Sequence, residues 1–227
     1  MKIKVANTMV EISHVTKSYN TGTVLETTVL KDISYQFLPA HSYAIIGKSG
    51  CGKTTFLNIL SGLDTPDCGS VLWNGEDIFA MSRRQRTILR RRATGYIFQS
   101  YNLLAEHTAW ENIIMPHTLD GKRPNRTYLS DVCQMLQIDH LLKKYPSQMS
   151  GGEQQRVAIA RALAHKPGIL FADEPTGNLD PATGEKTLEL LMQTVRTLGN
   201  TLIMVTHDMD VAKATQQIIR IDQGTIL

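Results

Sequence analysis

The stretch Gly47-Lys48-Ser49-Gly50-Cys51-Gly52-Lys53-Thr54 constrains this chain more than any other. It fits G-x-x-x-x-G-K-[ST], a loop that wraps the phosphates of a bound nucleotide. Glycines there let backbone N–H groups converge on the anion, where a Cβ would obstruct them. Lys53 brings a cation to the β- and γ-phosphates, and the Thr54 hydroxyl can ligate Mg2+. Ser49, Cys51 and Thr55 belong to the same loop and its exit. Ser42-Tyr43-Ala44-Ile45-Ile46 reads as a buried strand, and Thr55-Phe56-Leu57-Asn58-Ile59-Leu60 as the start of a helix. That order aims a helix N-terminus at the phosphates. A glycine-rich surface turn is the competing reading, and the context opposes it.

At 227 residues the chain allows one domain, spanning 1–227, with a substantial core. The 42% apolar and 20% charged fractions are ordinary for a globular protein. A net charge of +3 is too mild to imply a nucleic-acid partner. No apolar run approaches the roughly 18–20 residues of a membrane helix. Met1-Lys2-Ile3-Lys4-Val5 has a basic pair without an apolar core behind it, so no signal peptide is expected. Cys51, Cys68 and Cys133 are an odd, sparse set that fits a reducing, cytosolic compartment and no disulfide framework.

The pattern divides in three. Residues up to about Ile46 are β-rich: Val10-Glu11-Ile12-Ser13 alternates, and Val29 to Phe37 alternates from Ile33 onward. From Ser82 to Pro146 the chain is more polar and helix-prone, apart from a strand signal at Gly95-Tyr96-Ile97-Phe98. After Gly152, helix and strand alternate. Glu153 to Ala164 forms a helix stopped by Lys166-Pro167-Gly168, and Gly184 to Leu198 forms another. Ile169-Leu170-Phe171-Ala172 and Leu202-Ile203-Met204-Val205 suit parallel strands buried on both faces.

Asp173 and Glu174 end the first of those strands, at the carboxyl edge of an α/β sheet and beside the phosphate loop. Asp173 would hold Mg2+, directly or through water. Glu174 would orient and deprotonate an attacking water as general base. An acidic helix cap is the bland alternative, and the upstream loop argues against it. Ser150-Gly151-Gly152-Glu153 presents two glycines before a strong helix, which makes a second anion site. From physics alone an ordinary glycine-flanked cap is the better reading of it. A head-to-tail homodimer is the other, with this segment capping the nucleotide held by the second subunit.

These motifs together resemble the ATP-binding cassette (ABC) ATPases over nearly the whole chain. Met149-Ser150-Gly151-Gly152-Glu153 is similar to the family signature, with Met for the usual Leu and Glu for the usual Gln. The resemblance implies an α/β P-loop NTPase fold: a RecA-like core with an antiparallel β subdomain (1–95 and 151–227) and an α-helical subdomain (96–150). It implies ATP and Mg2+, with Tyr19 stacked on adenine and Gln99 sensing Mg2+ and the γ-phosphate. It also implies that Asp180, in Gly177-Asn178-Leu179-Asp180, communicates across the dimer, and that His207 contacts the γ-phosphate. The partners implied are a second nucleotide-binding subunit and an integral membrane permease, at the cytoplasmic face of the membrane.

Gly95 to Leu104, Thr108-Ala109-Trp110-Glu111-Asn112 and Pro116 look like the lipoprotein-release and macrolide-export branch, as does Ala172 to Asp180. Cell-division and peptide-resistance ATPases share these patterns, so an ATP-gated regulatory module stands as the alternative to transport. About a hundred residues separate phosphate loop and signature, too few for the coiled coil of DNA-repair relatives. One cassette also differs from the tandem ribosomal types. The arginines Arg83, Arg84, Arg86, Arg90, Arg91 and Arg92 read as a solvated helical face, with anionic lipid as a minority reading. His41-Ser42 replaces a common Gly-Glu, which alters a turn and leaves the chemistry intact. Cys51 replaces a frequent Ser, so a thiol adduct there should obstruct the phosphate site. Alkylation is therefore expected to weaken ATP binding; unchanged binding in a fluorescence titration would place Cys51 away from the phosphates.

Overall fold

A computed structural model of the protein describes residues 9–227; Met1 to Val5, and the start of the segment 1–95, lie outside them. β1 (Val10–Tyr19) and β2 (Thr27–Phe37) form where apolar and polar residues alternate, and pair antiparallel with Val10 opposite Phe37. β3 (Ser42–Ile46) leads into the phosphate loop, and α1 (Lys53–Leu60) leaves it. β4 (Cys68–Trp73) pairs antiparallel with β1, and β5 (Glu76–Asp77) with β4. α2 (Arg83–Ala93) begins at a Ser82–Gln85 capping box, and β6 (Thr94–Ile97) follows it directly. α3 (Ala109–Leu119), α4 (Arg126–Met135) and two single 3-10 turns lead to α5 (Gly151–Leu163). Then β7 (Ile169–Asp173), α6 (Pro181–Leu198), β8 (Thr201–Val205), α7 (Met209–Lys213), β9 (Gln217–Asp222) and β10 (Thr225–Ile226) complete the chain.

Two sheets result. The antiparallel one runs β2-β1-β4-β5, and the other runs β10-β9-β3-β8-β7-β6, parallel throughout except at β10. Because side chains alternate along a strand, the central strands feed two cores. Leu170, Ala172, Leu202 and Met204 join Ile113, Leu129, Val157 and Leu191 of the helices on one face. Ile169, Phe171, Ile203 and Val205 join Phe37, Phe56 and Val71 on the other. That two-sided burial is why β7 and β8 are unbroken apolar runs.

Three helices begin earlier than their sequence patterns indicate. α1 starts at Lys53, α5 at Gly151 and α6 at Pro181. Backbone hydrogen bonding extends past the apolar period into the caps, and for α6 the cap is Asp180, whose carboxylate accepts from Thr183 N–H. β4, β5, β9 and β10 go beyond the strands read from sequence; β9 carries a signal, since buried Ile219 and Ile221 alternate with Arg220 and Asp222.

The arginine series corrects the expectation of a wholly solvated face. Arg83 and Arg84 are exposed, but Arg90 donates to the Gly62 carbonyl at 2.9 Å. Arg91 and Arg92 reach Asp120 at 2.8 and 3.0 Å, and Lys122 reaches it at 2.6 Å. Arg91 also donates to Leu119 O, so the C-terminal half of α2 is spent on tying down the end of α3. Asp120 is held down at about 2, chiefly by Lys122.

His165, just after α5, faces the Thr94 carbonyl through Nε2 at 3.0 Å, while its Nδ1 has no hydrogen-bond partner among the described residues. Burial pushes the imidazole down to about 4 from 6.5. The folded state then binds fewer protons than the unfolded one, so stability is lost as pH falls from 6.5 through about 4, by on the order of 3 kcal/mol. His165→Gln should flatten the difference in urea stability between pH 7.5 and 4.5. An unaltered pH slope in the variant would contradict the assignment.

Candidate active site

Register sets the site. In the parallel ladder Ile45 lies beside Val205, and Val205 beside Asp173, so β3, β8 and β7 end level. Gly47, His207 and Glu174 follow those ends and share one edge. Two backbone bonds lock the exits: Thr206 N–H to Ile45 O at 3.1 Å, and Glu174 N–H to Val205 O at 3.0 Å.

The phosphate loop needs glycine at two of its positions for different reasons. A Cβ on Gly47 would lie 2.3 Å from the Ile221 carbonyl oxygen, a backbone atom that cannot yield. Gly52 has φ +100°, left-handed backbone that an L side chain resists, and a Cβ there would meet Val29. Ser49 and Gly50 are exposed at the loop's crest, while half-buried Cys51 packs towards the core beneath it. Lys53 is buried, and its ammonium donates to the Gly47 and Lys48 carbonyls at 2.9 and 3.0 Å. Both acceptors are neutral carbonyls. The Thr54 hydroxyl stands 3.4 Å from Asp173 Oδ1. Burial pushes the Asp173 carboxyl up, with the Thr54 hydrogen bond opposing that shift.

Glu174 has φ +48°, strained for a non-glycine residue and held by the Val205 bond and by Gly177 N–H to its carbonyl. Its two carboxylate oxygens lie 2.7 and 2.8 Å from His207 Nδ1. Asp173, Glu174 and His207 thus come together as the sequence leads one to expect. Gln99 is exposed, with its amide 3.4 Å from Asn178 Oδ1 and its carbonyl accepting from Asn178 Nδ2 at 3.0 Å. Tyr19 is 39% exposed; its hydroxyl donates to Asp64 at 2.7 Å, and Lys17 sits 5.1 Å from its ring centre. Thr55 Oγ1 lies 3.5 Å from the same hydroxyl, which brings Tyr19 to the exit of the phosphate loop.

Ser150 caps α5 by a reciprocal box: its hydroxyl accepts from Glu153 N–H, and Glu153 Oε2 accepts from Ser150 N–H at 2.7 Å. That second bond lowers the Glu153 carboxyl. The first intrahelical bond runs from Gln154 N–H to Ser150 O, so Gly151 and Gly152 N–H precede the helical ladder. Among the described residues no hydrogen bond or ion pair joins residues 150–153 to the phosphate loop.

Two buried side chains outside the expected site residues brace it. Buried Gln155 donates to Pro175 O at 2.7 Å, tying α5 to the segment after Glu174. Buried Asn112 donates to the carbonyls of Leu104, His107 and Thr108 and accepts from Leu104 N–H, which fixes the turn before α3. A groove of 1090 Å³ between α6 and α7 opens at Glu174, Asp180 and His207 and includes none of residues 47–54.

Chemically, the edge fits a phosphate-bearing substrate: a buried ammonium bonded only to neutral carbonyls, a glycine-rich loop and a carboxylate paired with an imidazole. Mg2+ also fits the donor set, since Thr54 and Asp173 offer one hydroxyl and one carboxylate to an ion that usually keeps water and phosphate ligands. Among the described residues no cluster of three or more His, Cys, Asp or Glu could cage a metal.

Gly152 offers a test of how tightly the α5 turn is packed. A Cβ there would lie 2.2 Å from Thr183 Cγ2. Gly152→Ala should destabilise the fold by about 1–3 kcal/mol through overpacking, and adding Thr183→Ser should restore most of it. Urea denaturation of the two single variants and the double variant measures this. Additive losses would contradict the contact.

Comparison with known proteins places the chain in a family. The ABC transporter family model matches residues 30–177. An uncharacterized ABC transporter ATP-binding protein of Methanocaldococcus jannaschii is 42% identical over 96% of this chain and 98% of its own. The lipoprotein-releasing system ATP-binding protein LolD of Pseudomonas fluorescens is 40% identical over 93% of both. The macrolide export ATP-binding/permease protein MacB of Syntrophobacter fumaroxidans is 41% identical over 96% of this chain, which spans only 31% of that protein. Among solved structures, the dimer of a bacterial ABC transporter cassette superposes with a TM-score of 0.85 at 36% identity, covering 96% of each chain. A post-hydrolysis cassette dimer bound to ADP and Pi gives 0.84 at 35% identity, again over 96% of each. The protein belongs to the ABC transporter family as an ATP-binding subunit, and it is an ATPase.

Proposed function

We propose that two copies of the chain close head to tail on two ATP molecules and that this closure drives a separate membrane permease in the export or extraction of a lipophilic, peptide or lipoprotein substrate. The observation that carries the catalytic half is the level edge that sets Glu174, held by His207, beside Asp173 and the phosphate loop. Each ATP lies between residues 47–55 of one copy, with Tyr19 against adenine, and Ser150-Gly151-Gly152-Glu153 of the other. Two solved cassettes similar to this chain are dimers, one of them bound to ADP and Pi, which supports a two-copy assembly, and the separation of residues 150–153 from the phosphate loop is consistent with it.

Lys53 turns from the Gly47 and Lys48 carbonyls to the β- and γ-phosphates as ATP enters. Mg2+, held by Thr54 and Asp173 with Gln99 near it, would neutralise charge on the phosphates. Glu174 orients the attacking water and takes its proton, an effect worth typically 10²–10⁴-fold. His207 fixes the Glu174 carboxylate and offers its other face to the γ-phosphate. Asp180, at the cap of α6, meets the second copy. Segment 99–117, pinned by Asn112, lies between the site and the permease, which would hold the subunit at the cytoplasmic face of the membrane. Among the described residues no helix is long and apolar enough to cross a membrane, which fits a separate membrane partner. The LolD and MacB names of its relatives favour export or extraction.

Glu174→Gln should bind ATP with little change while losing at least 10²-fold in hydrolysis. A variant turning over at the parent rate would refute the assigned base. The same variant, tagged and recovered from host membranes with MgATP, should bring down an integral membrane permease identifiable by mass spectrometry. Recovery with ribosomes or DNA, or without a membrane protein, would refute the transport reading.

A further inference from the structure

Arg161 belongs to no motif and lies on α5, eleven residues beyond Ser150. Its side chain is half-buried. Nη1 donates to the Asn102 carbonyl at 2.6 Å and Nη2 to the Tyr101 carbonyl at 2.8 Å. No carboxylate pairs with it among the described residues, so this charge is given to two backbone oxygens. Tyr101 and Asn102 are consecutive non-glycine residues with φ +59° and +50°, a conformation that persists only when surroundings hold it. Only Ser100 separates them from Gln99. The Tyr101 ring then reaches back to the turn at the start of α5, where a Cβ on Gly151 would lie 2.8 Å from the Tyr101 hydroxyl.

We propose that Arg161 is a positioning residue: its two-pronged grip on the Tyr101 and Asn102 carbonyls locks the segment after Gln99 to the helix that carries Ser150-Gly151-Gly152, so that the two nucleotide-facing loops move as one body. Gln99 faces the nucleotide of its own subunit, and Ser150 faces that of the partner. A rigid link between them makes occupancy of one site bear on closure over the other. The guanidinium suits this because a planar fork holds two diverging carbonyls at once, which a lysine ammonium does not reproduce. This inference rests on the head-to-tail reading of residues 150–153.

The test uses the full chain carrying Glu174→Gln, alone and with Arg161→Lys or Arg161→Met. Three quantities are measured: ATP affinity of the monomer, ATP-dependent dimerisation by sedimentation, and amide hydrogen exchange of residues 99–104. Arg161→Met is expected to keep monomer affinity for ATP within about twofold, weaken dimerisation at least tenfold and speed exchange at 99–104 while β7 and β8 stay protected. Arg161→Lys should fall between Met and the parent. If Met fails to fold, Lys alone decides by the same split. Dimerisation equal to the parent's, or equal losses in ATP affinity and dimerisation, would overturn the proposal. Should the Glu174→Gln parent itself stay monomeric with ATP, the head-to-tail reading fails and this inference falls with it.

Discussion

Everything at the active edge depends on the parallel pairing of β3, β8 and β7 in one register. With Ile45, Val205 and Asp173 at a common level, the chain must leave all three strands at the same place. The phosphate loop, Glu174 and His207 are the first things it does on leaving. A register slip would move a whole strand by one residue and exchange its two buried faces. The two-sided core forbids that, because Ile169 and Phe171 fill one side while Leu170 and Ala172 fill the other. Packing far from the nucleotide therefore sets the geometry of the chemistry.

The loop itself shows the same dependence on its surroundings. Gly47 is required by the Ile221 carbonyl of β9, and Gly52 by Val29 of β2. One glycine is fixed by the parallel sheet and the other by the antiparallel one. The loop is thus shaped from both sides, where the two sheets meet. Strain at Glu174 follows the same logic: φ +48° is sustained because Val205 O accepts its N–H and His207 holds its carboxylate.

Much of this was legible in the residues. Apolar runs ending in Gly47, Asp173-Glu174 and, two residues on, His207 announce parallel strands with chemistry at their carboxyl ends. The pairing of Glu174 with His207 needs only that shared edge. What pattern could not supply was long-range. Arg90, Arg91 and Arg92 look like a solvated stripe because their acceptors, Gly62, Leu119 and Asp120, lie 28 residues away in either direction. Thr183 matters for Gly152 only because α6 packs across the start of α5. Helix starts were also hidden, since Asp180 and Ser150 act through hydrogen bonds to backbone rather than through apolar period.

In the proposed dimer a nucleotide bound by one copy is capped by Ser150-Gly151-Gly152 of another. Sedimentation of the Glu174→Gln chain, with and without Ser150→Arg, tests it most directly. A two-chain species should appear with ATP and be lost on Ser150→Arg, while ATP still binds the monomer with its parent affinity. ATP-dependent dimers that survive Ser150→Arg, or a chain that stays monomeric whenever ATP is bound, would contradict it.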